Sequence, residues 1–96
     1  MKEEIFAEVL KAIAHPSRIK IIKVLEKGQK CVKELEELIG IKQSNLSQHL
    51  RILKDKGIID CRRRGMEVCY RIKDRGILEI INCLENLFAR GRGDDR

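Results

Sequence analysis

The chain has 96 residues, 43% hydrophobic and 38% charged, and its 21 Lys and Arg against 15 Asp and Glu give a formal charge of +6. One domain of this length, expected over 1–90 with a polar tail at 91–96, leaves no room for a separate catalytic or ligand-binding domain, and its thin core favours oligomerisation. No apolar run approaches the roughly 18 residues that span a bilayer, and Met1-Lys2-Glu3-Glu4 opens no secretory signal, so a cytoplasmic protein without membrane contact is expected.

Residues 3–14 read as a first amphipathic helix, because Ile5, Phe6, Val9, Leu10 and Ile13 recur at helical spacing. Pro16 suits the first turn of a second helix, where its missing N–H had no partner to lose. Ile19, Ile21, Ile22, Val24 and Leu25 give that helix a wide apolar face, and Gly28 closes it. A third helix covers about 31–39, with Val32, Leu35, Leu38 and Ile39 inward and Gly40 as its stop. After two or three residues a fourth pattern begins, in which Leu46, Leu50 and Leu53 repeat at i, i+4, i+7 until Gly57. Helix, tight glycine-containing turn and helix together form a helix-turn-helix.

Beyond Gly57 the periodicity changes from helical to alternating. Ile58–Arg62 and Met66–Ile72 read as two strands around a tip of Arg62-Arg63-Arg64-Gly65, with Met66, Val68, Tyr70 and Ile72 on one face. A two- or four-residue turn sets Cys61 on the face of Val68 and Tyr70 and Cys69 on the other, whereas a three-residue loop would bring both sulfurs to one face. The apolar alternation favours the first register, so no disulfide is expected between these two. Gly76 precedes a last helix with the apolar stripe Ile77, Ile80, Ile81, Leu84, Leu87 and Phe88. The expected fold is therefore mainly α with a small β-hairpin: a winged helix-turn-helix of about five helices plus a two-stranded wing.

With the leucine stripe facing the core, Ser44, Ser47, Gln48 and Arg51 project on the opposite side of the fourth helix. Solvated helix faces usually carry Glu and Lys pairs, yet 43–49 is rich in amides and hydroxyls and has no formal charge. Such groups match the donors and acceptors on base edges of double-stranded DNA. Gln43, Asn45 and His49 flank this face and are candidates for bases or phosphates. Arg62, Arg63 and Arg64 repel one another unless an anion lies near, which points to phosphates or the minor groove, although a charged edge also keeps a hairpin from pairing with other chains. Acids concentrate in 3–37, whereas 42–75 carry most of the unpaired bases, the asymmetry of one basic face.

The four cysteines, at 31, 61, 69 and 83, include no CxxC and fit no zinc spacing, and in a reducing compartment no disulfide framework is expected. Cys83, between Ile80, Ile81, Leu84 and Leu87, is expected to be buried at the helix or dimer interface. Cys31 starts a helix beside Lys30 and Lys33, where the dipole stabilises a thiolate, making it the candidate sensor thiol. A structural role for all four is the competing reading.

Ala14-His15-Pro16-Ser17-Arg18-Ile19, the stretch Ile41–Leu50, and Gly57–Ile59 through Tyr70–Ile72 together resemble the ArsR/SmtB family of repressors over about residues 5–88. The resemblance implies a homodimer through the first and last helices, with a recognition helix in each major groove and release by a small inducer. Lys42 departs from the family's hydroxyl cap, leaving Ser44 as an alternative cap or a slightly later helix start. Cys31-Val32-Lys33-Glu34-Leu35 resembles the arsenic-sensing Cys-Val-Cys-Asp-Leu but keeps only its first cysteine. Asp74 matches one zinc-type ligand, whereas Gly76, Leu87 and Arg90 stand where others would be, so no metal or cofactor is expected. An enzyme is excluded for want of a phosphate loop or an activated nucleophile. A winged-helix protein-interaction adaptor is the alternative function, and it has little use for the arginines or the amide-rich face.

Overall fold

The computed structural model describes residues 2–92. Five α-helices and three strands follow in the order α1 (Lys2–Ile13), α2 (Pro16–Glu26), β1 (Lys30–Cys31), α3 (Val32–Ile39), α4 (Gln43–Asp55), β2 (Ile59–Arg64), β3 (Glu67–Ile72) and α5 (Gly76–Leu87), with a π-helical turn at Phe88–Arg92. The expected tail at 91–96, with its Arg92-Gly93-Asp94 tripeptide, lies for the most part outside the described residues.

Each helix exists because its apolar residues face one shared interior. Ile21, Ile22 and Leu25 of α2, Leu35 and Ile39 of α3, and Leu46, Leu50 and Leu53 of α4 form one cluster with Ala12, Ile13, Ile58, Ile59, Ile72, Ile77, Leu78 and Ile81. Full burial of a leucine contributes about 1.5–3 kcal/mol, so the three of α4 anchor that helix far more strongly than its intrinsic propensity does. Pro16 opens α2, and His15 caps it, its Nδ1 accepting the Ser17 N–H at 3.1 Å.

The helix-turn-helix turn depends on Gly40. Its φ of +80° is the left-handed conformation that side chains resist, and its N–H reaches the Glu36 carbonyl at 2.8 Å to close α3. Only Ile41 and Lys42 then separate the two helices. Lys42 occupies the N-cap of α4 without a side-chain cap, and the helix begins at Gln43. Neither the Ser44 cap nor the later start is realised.

The wing is an antiparallel hairpin with Ile59 opposite Ile72 and Arg64 opposite Glu67, which leaves Gly65-Met66 as a two-residue turn. Gly65 has φ +63° and no non-glycine residue among the described residues has positive φ, the pattern of a type II′ turn. The register places Cys61 opposite Tyr70, as expected from the alternation.

Three expectations are corrected by the structure. The triple arginine is not the tip: Arg62, Arg63 and Arg64 continue β2, and Met66 stands at the tip, 95% exposed, instead of on the apolar face of β3. The strand runs on because the arginines alternate as well as any strand residues and only Gly65 supplies the reversal. The sheet also has a third strand, since Lys30 pairs with Tyr70 and Cys31 with Cys69, and α3 starts one residue after Cys31. That pairing joins Cys31 to Cys69 in a disulfide across 38 residues, so only Cys61 and Cys83 are free thiols among the described residues. Cys83 is exposed in the single chain, on the side of α5 that also bares Ile80 and Leu84, so its expected burial could come only from a second copy.

Candidate nucleic-acid interface

Turning Leu46, Leu50 and Leu53 inward obliges the other side of α4 to face out. Gln43, Ser44, Asn45, Ser47, Gln48 and Arg51 are all exposed, and together they present amides, hydroxyls and one guanidinium. Gln43, at the helix start, also lines a cleft between α3 and the wing. His49 is half-buried on the shoulder. Its Nδ1 lies 3.1 Å from Arg18 Nη1, and its ring packs tilted against His15 with centroids 4.4 Å apart. Arg18 in turn donates from Nε to the Ala12 carbonyl at 2.6 Å. Burial foremost, then His15 and Arg18, holds the His49 pKa below the usual imidazole range. His49 thus keys the recognition helix to the end of α1 and the start of α2.

The arginine run divides by strand geometry. Arg62 and Arg64 share a face with their cross-strand partners Cys69 and Glu67, whereas Arg63 sits opposite Val68 on the other face. All three are exposed, and none forms an ion pair among the described residues. Arg71 behaves differently: its Nε donates to Asp60 Oδ1 at 2.9 Å across the hairpin, which lowers the Asp60 pKa. The base of the wing is thus self-neutralised, and its outer half carries three arginines against one carboxylate, Glu67.

Arg18 and Cys69 were not legible as site residues. Arg18 meets His49 across 31 positions of sequence, and nothing local signals that contact. Cys69 is paired only because β1 forms, and a two-residue strand carries no periodicity. Asp74 serves the backbone, accepting the Gly76 N–H at 3.0 Å at the start of α5.

A second surface has the opposite chemistry. Ile5, Phe6 and Leu10 on α1 and Ile80, Leu84 and Leu87 on α5 are exposed, while Ala12, Ile13, Ile77, Leu78 and Ile81 of the same helices are buried. No helix among the described residues is long and apolar enough to cross a membrane.

A helix-turn-helix with an exposed amide-rich second helix and a basic hairpin beside it defines the winged helix-turn-helix class of transcriptional regulators. Residues 15–60 match the model of the bacterial regulatory proteins of the arsR family. The chain is 37% identical over 83 residues to the biofilm growth-associated repressor of Xylella fastidiosa, covering 86% of this chain and 73% of that one. It superposes on the crystal structure of Rv0081 of M. tuberculosis with a TM-score of 0.85 and 34% identity, over 96% of this chain and 93% of the other. It is also similar to the homodimeric winged helix-turn-helix DNA-binding domain Mb0332 of Mycobacterium bovis, with a TM-score of 0.82 and 25% identity over 93% and 82% of the two chains. The chain belongs to the arsR family, and it is a transcriptional regulator rather than an enzyme.

Proposed function

We propose that the chain is a cytoplasmic repressor that binds an operator as a homodimer, its residues 1–90 acting as one DNA-binding domain, and leaves the operator when an inducer acts. The observation that carries this reading is the exposed polar face of α4 opposite a fully buried leucine stripe. Ser44, Ser47, Gln48 and Arg51 read base edges in the major groove, with Gln43 and Asn45 at its margin. Arg62, Arg63 and Arg64 supply electrostatic affinity through phosphates. His49 positions the helix more than it reads DNA, because Arg18 and His15 already engage its ring.

The apolar faces of α1 and α5 support self-association, since a monomer rarely leaves so many large apolar side chains in water. The dimeric Mb0332 domain supports the same assembly. Selection of bound duplexes from random-sequence DNA tests the proposal. A recurring palindromic motif with strongly salt-dependent binding is expected, whereas recovery of no motif would favour the protein-interaction adaptor.

A further inference from the structure

The disulfide lies between the two parts of the DNA-reading surface. Cys31 stands in β1 immediately before α3, and Cys69 lies in β3 of the wing, so the bridge encloses α3, α4 and β2 within one covalent loop. The two cysteines differ in access: Cys69 is 1% exposed, whereas Cys31 is only partly buried. Cys31 also lines the cleft of about 440 Å³ between α3 and the wing, together with Lys33, Glu36, Gln43, Met66 and Glu67. A ligating oxygen of Glu67 lies within 4.8 Å of both sulfurs. The cleft therefore has a partly exposed cysteine, a carboxylate near both sulfurs and charges of both signs, and it is large enough for a small zwitterionic thiol.

We propose that this cleft is a thiol–disulfide exchange site for a low-molecular-weight thiol and its disulfide, and that the state of the Cys31–Cys69 bridge sets the affinity for DNA. A thiolate RS⁻ attacks Sγ of Cys31, the more exposed of the two cysteines, forming R–S–S–Cys31 and releasing Cys69 as thiolate. Arg62 is the cross-strand neighbour of Cys69 and is the nearest cation in register to that leaving group. The proton lost by the incoming thiol passes to solvent, and the released Cys69 thiolate takes one up from solvent, so the proton count is unchanged. A second RSH then reduces the mixed disulfide, so the bridge and two RSH become two protein thiols and RSSR. The reverse sequence oxidises the pair. The bridge fixes the wing against the start of α3, so the oxidised form holds α4 and the arginines in one arrangement before DNA arrives, and reduction releases that constraint.

The inference rests on the DNA-reading assignment above, and its test separates the two. The intact dimer is equilibrated in buffers of graded reduced-to-oxidised glutathione ratio, alkylated and mapped by mass. Operator affinity is measured in each state on the duplex selected by the same protein. A two-electron transition at Cys31 and Cys69 is expected, with glutathione trapped on Cys31 in Cys69→Ser, and with about tenfold tighter operator binding by the oxidised form. Cys69→Ser is expected to bind alike in all the buffers, and Cys61→Ser to keep the response. A bridge that resists every buffer, trapping on Cys69 in Cys31→Ser but none on Cys31 in Cys69→Ser, or equal affinity in both states would overturn the proposal. Normal exchange in a protein that binds no duplex in either state would overturn the DNA coupling and the DNA-reading assignment together, with the exchange chemistry intact.

Discussion

Helices α4 and α5 are alike on the inside and opposite in kind on the outside. Both bury a stripe of aliphatic residues in the common core: Leu46, Leu50 and Leu53 in one, Ile77, Leu78 and Ile81 in the other. Outward, α4 shows amides and hydroxyls, whereas α5 shows Ile80, Leu84 and Leu87. The inner stripes explain the fold and are silent about function, because any packed helix needs one. The outer faces discriminate partners. Unpaired donors and acceptors suit base edges, and exposed aliphatic carbon suits a second apolar surface.

The largest expected effect comes from removing that difference on α5. Leu84→Glu leaves the interior cluster intact and charges the outer face, so the dimer is expected to dissociate. Losing the second reading head then lowers operator affinity by about 10²–10⁴-fold. Sedimentation combined with operator titration checks this, and a dimeric variant of normal affinity would remove α5 from the interface.

Next comes α4. Gln48→Ala and Arg51→Ala are each expected to cost about 1–3 kcal/mol of discrimination between operator and random duplex. The measured quantity is the ratio of the two affinities. An equal loss on both duplexes would place these side chains on phosphates instead of bases.

The wing should respond in a third way. Neutralising Arg62, Arg63 or Arg64 singly is expected to weaken all duplexes alike and to lower the salt slope by about one unit for each phosphate left without its arginine. A triple alanine variant with an unchanged slope would leave the run as a device against edge-to-edge pairing.

The smallest effect is a pH dependence of stability. The folded pKa of His49 lies below its unfolded value, so the neutral ring is the folded form's preference. Above the unfolded pKa both states are neutral and nothing is lost. As pH falls below it, the unfolded chain takes up the proton first, and stability declines until the folded pKa is passed. His49→Gln should flatten this part of the pH–Tm profile, whereas an unchanged profile would assign the decline to other groups.

Much of the contrast between α4 and α5 is legible in the order of the residues alone. The leucine spacing of α4 dictates which side chains point outward, Gly40 marks the turn, and alternation in β3 places Cys61 beside Tyr70. What escapes is non-local or lies at element ends. Two residues cannot display a strand period, so Lys30–Cys31 becomes β1 only through Tyr70 and Cys69, and the disulfide follows from that pairing. Arginines neither end nor extend a strand by pattern, so nothing in the run itself assigns the tip to Gly65-Met66. In α5 the apolar residues wrap more than half the helix, and sequence period does not say which arc is inner. Cys83 accordingly reads as buried in the helix packing or at a dimer interface, and the single chain leaves it on the outer arc.

Half-site spacing offers the most direct test that one outer face reads DNA while the other joins two copies. Two linked recognition helices require half-sites about 10 base pairs apart, or a multiple of that distance, on one side of the duplex. Inserting about 5 base pairs between the selected half-sites rotates one of them to the opposite side. Affinity is then expected to fall to that of a single half-site, and insertion of a full turn, about 10 base pairs, to lower it less. Equal affinity for all three duplexes would contradict a dimer that reads two grooves at once.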